Sequence, residues 1–517
     1  MSGQLRERQV AMGLLFYPRG GSAQVARYLS RTLDDLGWPV TLACGSLGTP
    51  GDRTHAATFF DGIRVAAANY NAAMQTYRAG GDPIADPVPL HPSFEARENV
   101  PDRVFAAVSP ELGDHLAFAW ESLMADAWRD DPAVFHLHHL TPLHEAVERR
   151  WPQCAIVTHL HGTELKLLDD IDRLAAIAHR LDTSLEGMAD RAEAGDLPKA
   201  GGLGPQERRL FEQTRWSSWR FGDHWAQRLR AAARRTSRFI VISPHDRDEA
   251  QRLMKVDDRL IERIPNGVDV ERFDRQTVAL DERLARWRRW LVDDPRGWDA
   301  SGKPGSIRYS ESDLQQFLDP ETGDPAPVLL FVGRFLGFKR VPLLVRAYAR
   351  ARSRLRIRAP LVIWGGFPGE WEGEHPHTVA REEGTEGIFF VGWRGHRDLP
   401  SGLACADVMA APSYNEPFGQ VLLEAMACGV PVIATRSGGP PSFVNTEPGR
   451  PNGWLVEPND VDAVADALVE AVNDAEARRQ RADNAYEQIR GAFAWQSLGR
   501  RFVASYEAAR QERRAVG

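Results

Sequence analysis

Two glutamates, Glu416 and Glu424, frame the segment with the most chemical potential: Ser413-Tyr-Asn-Glu416-Pro-Phe418-Gly419-Gln420-Val421-Leu-Leu-Glu424. The apolar run ending near Ala411 predicts a strand, the next residues a loop carrying Glu416, and those from Phe418 a helix. The first amides of such a helix lack intrahelical partners and stand at the positive end of its dipole. They favour a phosphate or a developing anion. Glu424 follows about five residues into the helix, roughly 7 Å along its axis. One carboxylate by the helix start and another further along match an elongated ligand with hydroxyls at both ends and a diphosphate between, as in a nucleotide sugar. The plainer alternative is a loop glutamate and an exposed helix glutamate.

A second group, Phe331-Val-Gly333-Arg334-Phe-Leu-Gly337-Phe-Lys339-Arg340, follows the strand predicted at Val328–Val332. Arg334 and Lys339 flank a glycine-containing turn, and a planar guanidinium fork beside a compact ammonium holds a diphosphate well. Lys339 is one of only five lysines in the chain, with Lys166, Lys199, Lys255 and Lys303. A third group, Tyr17-Pro-Arg19-Gly20-Gly21-Ser22, occupies the first strand–helix turn. Glycines there let the backbone approach a ligand with free amides, or simply make a tight turn. His161 lies in a region crowded with His136, His138, His139, His144 and His159. It suits a contact to a donor sugar or a structural hydrogen bond. Metal binding is the weakest alternative, because the histidines straddle two predicted strands without a fixed ligand spacing.

These residues resemble those of the retaining, family-4-type glycosyltransferases of the GT-B fold. The likeness rests on Gly20–Gly21, the region Ile156–Gly162, Pro265-Asn-Gly-Val-Asp, Gly333-Arg334 with Lys339, and the pair Glu416 and Glu424. The run Ala425-Met-Ala-Cys-Gly-Val-Pro-Val-Ile-Ala-Thr and Gly438–Gly439 add to it. The resemblance implies that Arg334 and Lys339 hold the donor diphosphate, and that Glu416, with amides near Phe418, Gly419 and Gln420, holds the transferred sugar. It further implies that the Val421 amide meets the distal phosphate and that Glu424 accepts from ribose hydroxyls. The main chain at Trp393–Arg394 would touch the base, His161 would reach the sugar from the opposite domain, and Gly21 would cap the diphosphate or sugar. One departure stands out: the family's usual glutamate after Gly-Gly-x-Pro is absent from Gly438-Gly-Pro-Pro441-Ser442.

The elements that must position these residues come in two α/β series. Strands are predicted at Val10–Tyr17, Val40–Cys44, Val134–Leu137, Ala155–His159 and Arg238–Ser243. A second set follows at Val328–Val332, Leu361–Trp364, Ile388–Val391, Val408–Ala411, Pro431–Ala434 and Trp454–Val456. The expected class is α/β: GT-B, two facing Rossmann-like domains with a cleft between them, plus helical insertions. The amino-terminal, acceptor-side domain covers about 1–264, with a helical insertion at about 165–235, and a carboxyl-terminal helix at about 495–517 packs back on it. The donor-side domain covers about 265–494. Its polar stretch at about 275–325 reads as an insertion rather than core.

The length of 517 residues suits two domains, and a net charge of −7 argues against a nucleic-acid partner. The four scattered cysteines form no metal-type spacing, the amino terminus shows no apolar leader, and no run of 18 apolar residues occurs. A cytoplasmic protein is the expectation. It would be a retaining hexosyltransferase with a nucleotide-sugar donor, leaning to UDP-glucose by family resemblance, and an unspecified hydroxyl acceptor. No cofactor and no metal are expected, since cationic side chains and a helix start serve the diphosphate. The alternatives are a non-catalytic sugar-nucleotide-binding protein of the same shape, or an epimerase or phosphorylase. Within the first insertion, Trp216, Trp219 and Trp225 lie among arginines. They suit an acceptor-stacking wall, a weak contact with a membrane surface, or packing on the amino-terminal domain.

Overall fold

The computed structural model describes residues 8–97 and 100–516. Residues 1–7, on which part of the reading of the amino terminus rests, lie outside them. The chain divides into two compact units, Met1–Pro265 with Gly499–Gly517, and Asn266–Leu498.

The first unit is built on a seven-stranded sheet of order β3-β2-β1-β4-β5-β6-β7. The strands are β1 (Val10–Leu14), β2 (Val40–Ser46), β3 (Arg64–Asn69), β4 (Val134–His138), β5 (Ile156–His159), β6 (Arg238–Val241) and β7 (Ile261–Arg263). All neighbours pair parallel. Every residue of β1, β2, β4 and β5 is buried, as parallel strands covered on both faces must be. The two strands without a sequence prediction, β3 and β7, are the edges. The first is alanine-rich with a single buried residue and the second has three residues, so neither carries a long apolar run. Helix α1 (Gly21–Asp35) follows β1.

The segment between β5 and β6 is helical: α2 (Thr163–Arg180), α3 (Leu185–Glu193), α4 (Pro205–Gln213), a 3₁₀ turn at Trp216–Trp219, and α5 (Gly222–Arg235). Trp216, Trp219 and Trp225 are buried in the core of this unit. Trp225 Nε1 donates to the Val108 carbonyl at 2.8 Å and Trp216 Nε1 to that of Phe211 at 3.2 Å. The indoles anchor the insertion, so the expectation of an acceptor wall or a membrane-resting patch made by these tryptophans is corrected. The arginines nearby are engaged as well: Arg220 pairs with Asp190 and Glu193, and Arg228 with Glu145 and Asp114.

The second unit carries a six-stranded parallel sheet of order β10-β9-β8-β11-β12-β13. Its strands are β8 (Leu329–Gly333), β9 (Leu361–Gly365), β10 (Ile388–Gly392), β11 (Val408–Ala411), β12 (Val432–Thr435) and β13 (Gly453–Val456). Helix α6 (Val341–Arg352) follows β8 and α7 (Gln420–Ala427) follows β11. Residues 275–325 are not peripheral to the core, as the sequence had suggested. Trp287, Trp298 and Phe317 are fully buried, the Tyr309 hydroxyl accepts from the Phe390 amide at 2.8 Å, and Phe317 lies 4.9 Å from Phe389. The insertion covers β10, which would otherwise be an open sheet edge. Helix α8 (Trp495–Val516) belongs to the first unit from Gly499 onward. Among the described residues no helix is long and apolar enough to cross a membrane.

Candidate functional site

In both sheets the chain runs outward on one side of the first strand and then returns to the other. The reversals fall between β1 and β4 and between β8 and β11. At such a switch point the loops after the two strands diverge and leave a crevice at the carboxyl edge of the sheet, where open α/β sheets take their ligands.

In the second unit, the loops after β8 and β11 carry Arg334, Lys339 and Glu416. Gly337–Lys339 forms a 3₁₀ turn, and Arg340, at φ 53°, turns the chain into α6. The Gly337 amide donates to Glu372 Oε2 at 2.7 Å, fixing the turn. The Tyr414 amide donates to the Phe338 carbonyl at 2.6 Å, which joins the two loops. Lys339 Nζ then donates to Glu416 Oε2 at 2.6 Å, with both side chains largely buried. Arg334 is exposed at the mouth of β8. Two cations and a carboxylate thus stand on adjacent loops at the switch point.

Gly438 and Gly439 set the course of the Glu416 loop. A Cβ at Gly438, φ 72°, would lie 2.2 Å from the Glu416 carbonyl oxygen, and one at Gly439 would lie 2.4 Å from Phe418 Cα. The Gly439 amide donates to the Glu416 carbonyl at 2.7 Å. Just beyond, where the family's usual glutamate is absent, the Ser442 hydroxyl donates to the Gly439 carbonyl at 2.6 Å and closes the turn itself.

Gly419, at φ 95°, is the N-cap of α7, and no side chain caps the helix and no acid occupies its first turn. The amides of Gly419, Gln420 and Val421 therefore meet no competing carboxylate or hydroxyl of the cap. Phe418 is buried against Phe443, and the Gln420 side chain donates to the Gly267 carbonyl at 2.7 Å, so these two side chains are structural. Glu424 is buried and bonds His396 at 3.0 Å. His396 escaped the sequence reading because it sits in the loop after β10, far from Glu424 along the chain. Arg394 is turned into the insertion, where it donates to Asp294 Oδ2 at 2.8 Å and to the Trp290 carbonyl at 2.9 Å. Desolvation lowers its pKa, opposed by Asp294. Its side chain secures the loop after β10, which leaves the main chain as the part of Arg394 able to meet a ligand.

In the first unit, Gly20 holds φ 93° and ψ −169°, a region open essentially to glycine, and neither Gly20 nor Gly21 has a neighbour where a Cβ would stand. Helix α1 also starts with no side-chain cap and no acid in its first turn. His161 follows β5. Its amide donates to Glu164 Oε1 at 2.9 Å and its Nε2 lies 2.9 Å from His138 Nδ1. Burial raises the pKa of Glu164, but the attraction and hydrogen bond of His139 and the backbone amides outweigh it and keep the carboxyl below its usual range. Burial also pushes the pKa of His161 well down, so its imidazole is neutral.

Two family models match the chain and together cover more than half of it. "Glycosyltransferase Family 4" matches residues 19–272 and "Glycosyl transferases group 1" matches residues 315–488. The chain belongs to the family-4 glycosyltransferases. Among relatives of this family, the D-inositol 3-phosphate glycosyltransferase of Corynebacterium jeikeium is 36% identical over 210 residues, covering 40% of this chain and 48% of that protein. The lipopolysaccharide core biosynthesis glycosyltransferase LpsE of Rhizobium meliloti is 32% identical over 179 residues, covering 34% and 49%. The chain spans about half the length of the curated relatives it matches. Sucrose-phosphate synthase from Thermosynechococcus elongatus aligns over 97% of this chain and 98% of its own, with a TM-score of 0.57 and 18% identity. Anabaena Alr3699/HepE, solved in complex with UDP and glucose, aligns over 96% and 98%, with a TM-score of 0.56 and 14% identity. The family-4 glycosyltransferase fold of this chain is GT-B, and both its parallel sheets are Rossmann-like.

Proposed function

We propose that this family-4 glycosyltransferase transfers a hexose from a nucleotide-sugar donor to a hydroxyl acceptor with retention of configuration, and that the donor lies on the second unit. The observation that carries this reading is the Lys339–Glu416 pair on the loops after β8 and β11, beside the uncapped start of α7. In this reading Lys339 and Arg334 grip the diphosphate and stabilise its charge as the glycosidic bond breaks. Catalysis then rests on orientation and preorganised charge. Glu416 holds the transferred sugar, the amides of Gly419–Val421 face the phosphates, Glu424 accepts from ribose hydroxyls, and the main chain of Arg394 meets the base. Gly20, Gly21 and His161 are assigned to the sugar side.

UDP-glucose is the preferred donor. A solved structure of HepE with UDP and glucose supports it by analogy of fold, and the resemblance noted from sequence favours the same class. Retention follows a front-face route in which the departing phosphate takes the acceptor proton. The transfer step needs no metal in this proposal. Incubating the protein with UDP-α-glucose and a panel of polyol and sugar-phosphate acceptors, followed by NMR of the anomeric proton, tests it. An α-linked product is expected; a β-linked product would reject retention, and release of free glucose alone with every acceptor would reject transfer.

A further inference from the structure

The first unit contains three imidazoles whose arrangement has no part in the proposed transfer. His136 and His138 are alternate residues of β4, and His159 on β5 pairs with His138 across the sheet, so all three project from one face. That face lies beneath helix α8, where Phe502 is 5.9 Å from His136 and 5.5 Å from His159. All three histidines are completely buried. His136 Nδ1 bonds the Tyr506 hydroxyl at 2.6 Å, and His138 Nδ1 bonds His161 Nε2 at 2.9 Å. The remaining nitrogens, His136 Nε2, His138 Nε2 and both nitrogens of His159, are buried with no hydrogen-bond partner. Polar atoms so placed are rare in folded proteins and call for a ligand or a water.

We propose that His136, His138 and His159 bind one zinc ion through these nitrogens, making a metal site inside the first unit. The three ring centroids are 4.8, 5.4 and 5.3 Å apart. Three imidazoles around one tetrahedral zinc, with Zn–N about 2.0–2.1 Å, have centroids about 5 Å apart. One nitrogen from each ring lies within 4.8 Å of the others, and small side-chain rotations bring them to the roughly 3.4 Å separation of tetrahedral ligands. Two of the second nitrogens are partnered as in zinc sites: His136 Nδ1 meets the Tyr506 hydroxyl and His138 Nδ1 meets His161, and with Nδ1 as the donor in each contact Nε2 is left for the metal. An all-imidazole set selects zinc or a neighbouring late divalent ion over magnesium or calcium. The ion would tie β4 and β5 to α8 through Tyr506 and would orient His161 through His138. It is separate from the transfer step, for which no metal is proposed.

The test uses the full, untagged chain, stripped with a strong chelator under mildly denaturing conditions, refolded and titrated with zinc and with cobalt(II). Bound metal is measured by elemental mass spectrometry, with visible spectroscopy for cobalt. The expected result is one zinc per chain, a tetrahedral cobalt spectrum and a raised thermal midpoint. In His159→Gln the affinity should fall at least 100-fold. Tyr506→Phe, which keeps all three ligands and the packing of α8, should bind 10- to 100-fold more weakly. Less than a tenth of an equivalent bound by the wild-type chain would overturn the proposal, as would undiminished binding by His159→Gln.

Discussion

The two units arrange charge differently at their switch points. In the second, titratable side chains meet in pairs: Lys339 is held against Glu416, and Glu424 against His396. In the first, the loops at the strand ends offer glycine amides and a desolvated His161, and the carboxylate there, Glu164, is fully buried against His139 and the His161 amide. A buried charge is tolerated only when paired, whereas a neutral ring needs only hydrogen bonds. In the proposed reading, the highly charged end of the donor goes to the second unit for this reason.

The most damaging way to break this contrast is to remove the cations. Lys339→Ala and Arg334→Ala should each lower kcat/KM by about 100- to 1,000-fold with an unchanged circular dichroism spectrum. Activity within twofold of wild type in both would remove the charged grip from the account. The glutamates sharpen it. Glu416→Ala should act mainly on kcat, whereas Glu424→Ala should raise the donor KM by about tenfold with a smaller change in kcat, because ribose contacts are alike in ground and transition states. Equal effects on both parameters in both variants would reject the division.

The buried tryptophans offer a control within the first unit. Trp219→Ala should cost about 3–5 kcal/mol of stability by chemical denaturation while leaving acceptor KM unchanged in the folded fraction. A raised acceptor KM at unaltered stability would restore the stacking wall. A smaller effect concerns Asp246, whose carboxyl burial pushes up to about 7, against the hydrogen bond from Ser243. The folded state holds this proton more tightly than the unfolded chain, so its stabilising contribution is full below about pH 4 and fades as pH rises through about 7. The thermal midpoint should therefore fall from pH 5 to pH 8, and fall less in Asp246→Asn. Parallel curves for the two proteins would assign the slope to other groups.

Much of this contrast was legible in the residues. The central strands are continuous apolar runs because a parallel sheet buries both faces, and the glycine-flanked cations and the paired glutamates follow those runs directly. Three things were not legible. Edge strands β3 and β7 lack the apolar signal that burial imposes. The polar stretch 275–325 hides its few core residues, Trp287, Trp298 and Phe317, among turns, since covering a sheet edge requires only occasional large side chains. Partnerships made across the fold, Glu424 with His396 and His136 with Tyr506, leave no local spacing to read. The same reason made the histidines look irregular: residues 136, 138 and 159 become one cluster only through the register of β4 with β5.

The central claim, a nucleoside diphosphate held on the second unit by Lys339, has one direct measurement: thermal shifts of wild type and Lys339→Ala with UDP, GDP and ADP. At 100 times its dissociation constant a ligand stabilises by about 2.7 kcal/mol. The account predicts that at least one of the three, UDP foremost, raises the wild-type midpoint by several degrees and that the shift largely disappears in Lys339→Ala. No shift with any of the three, or an equal shift in the variant, would contradict it.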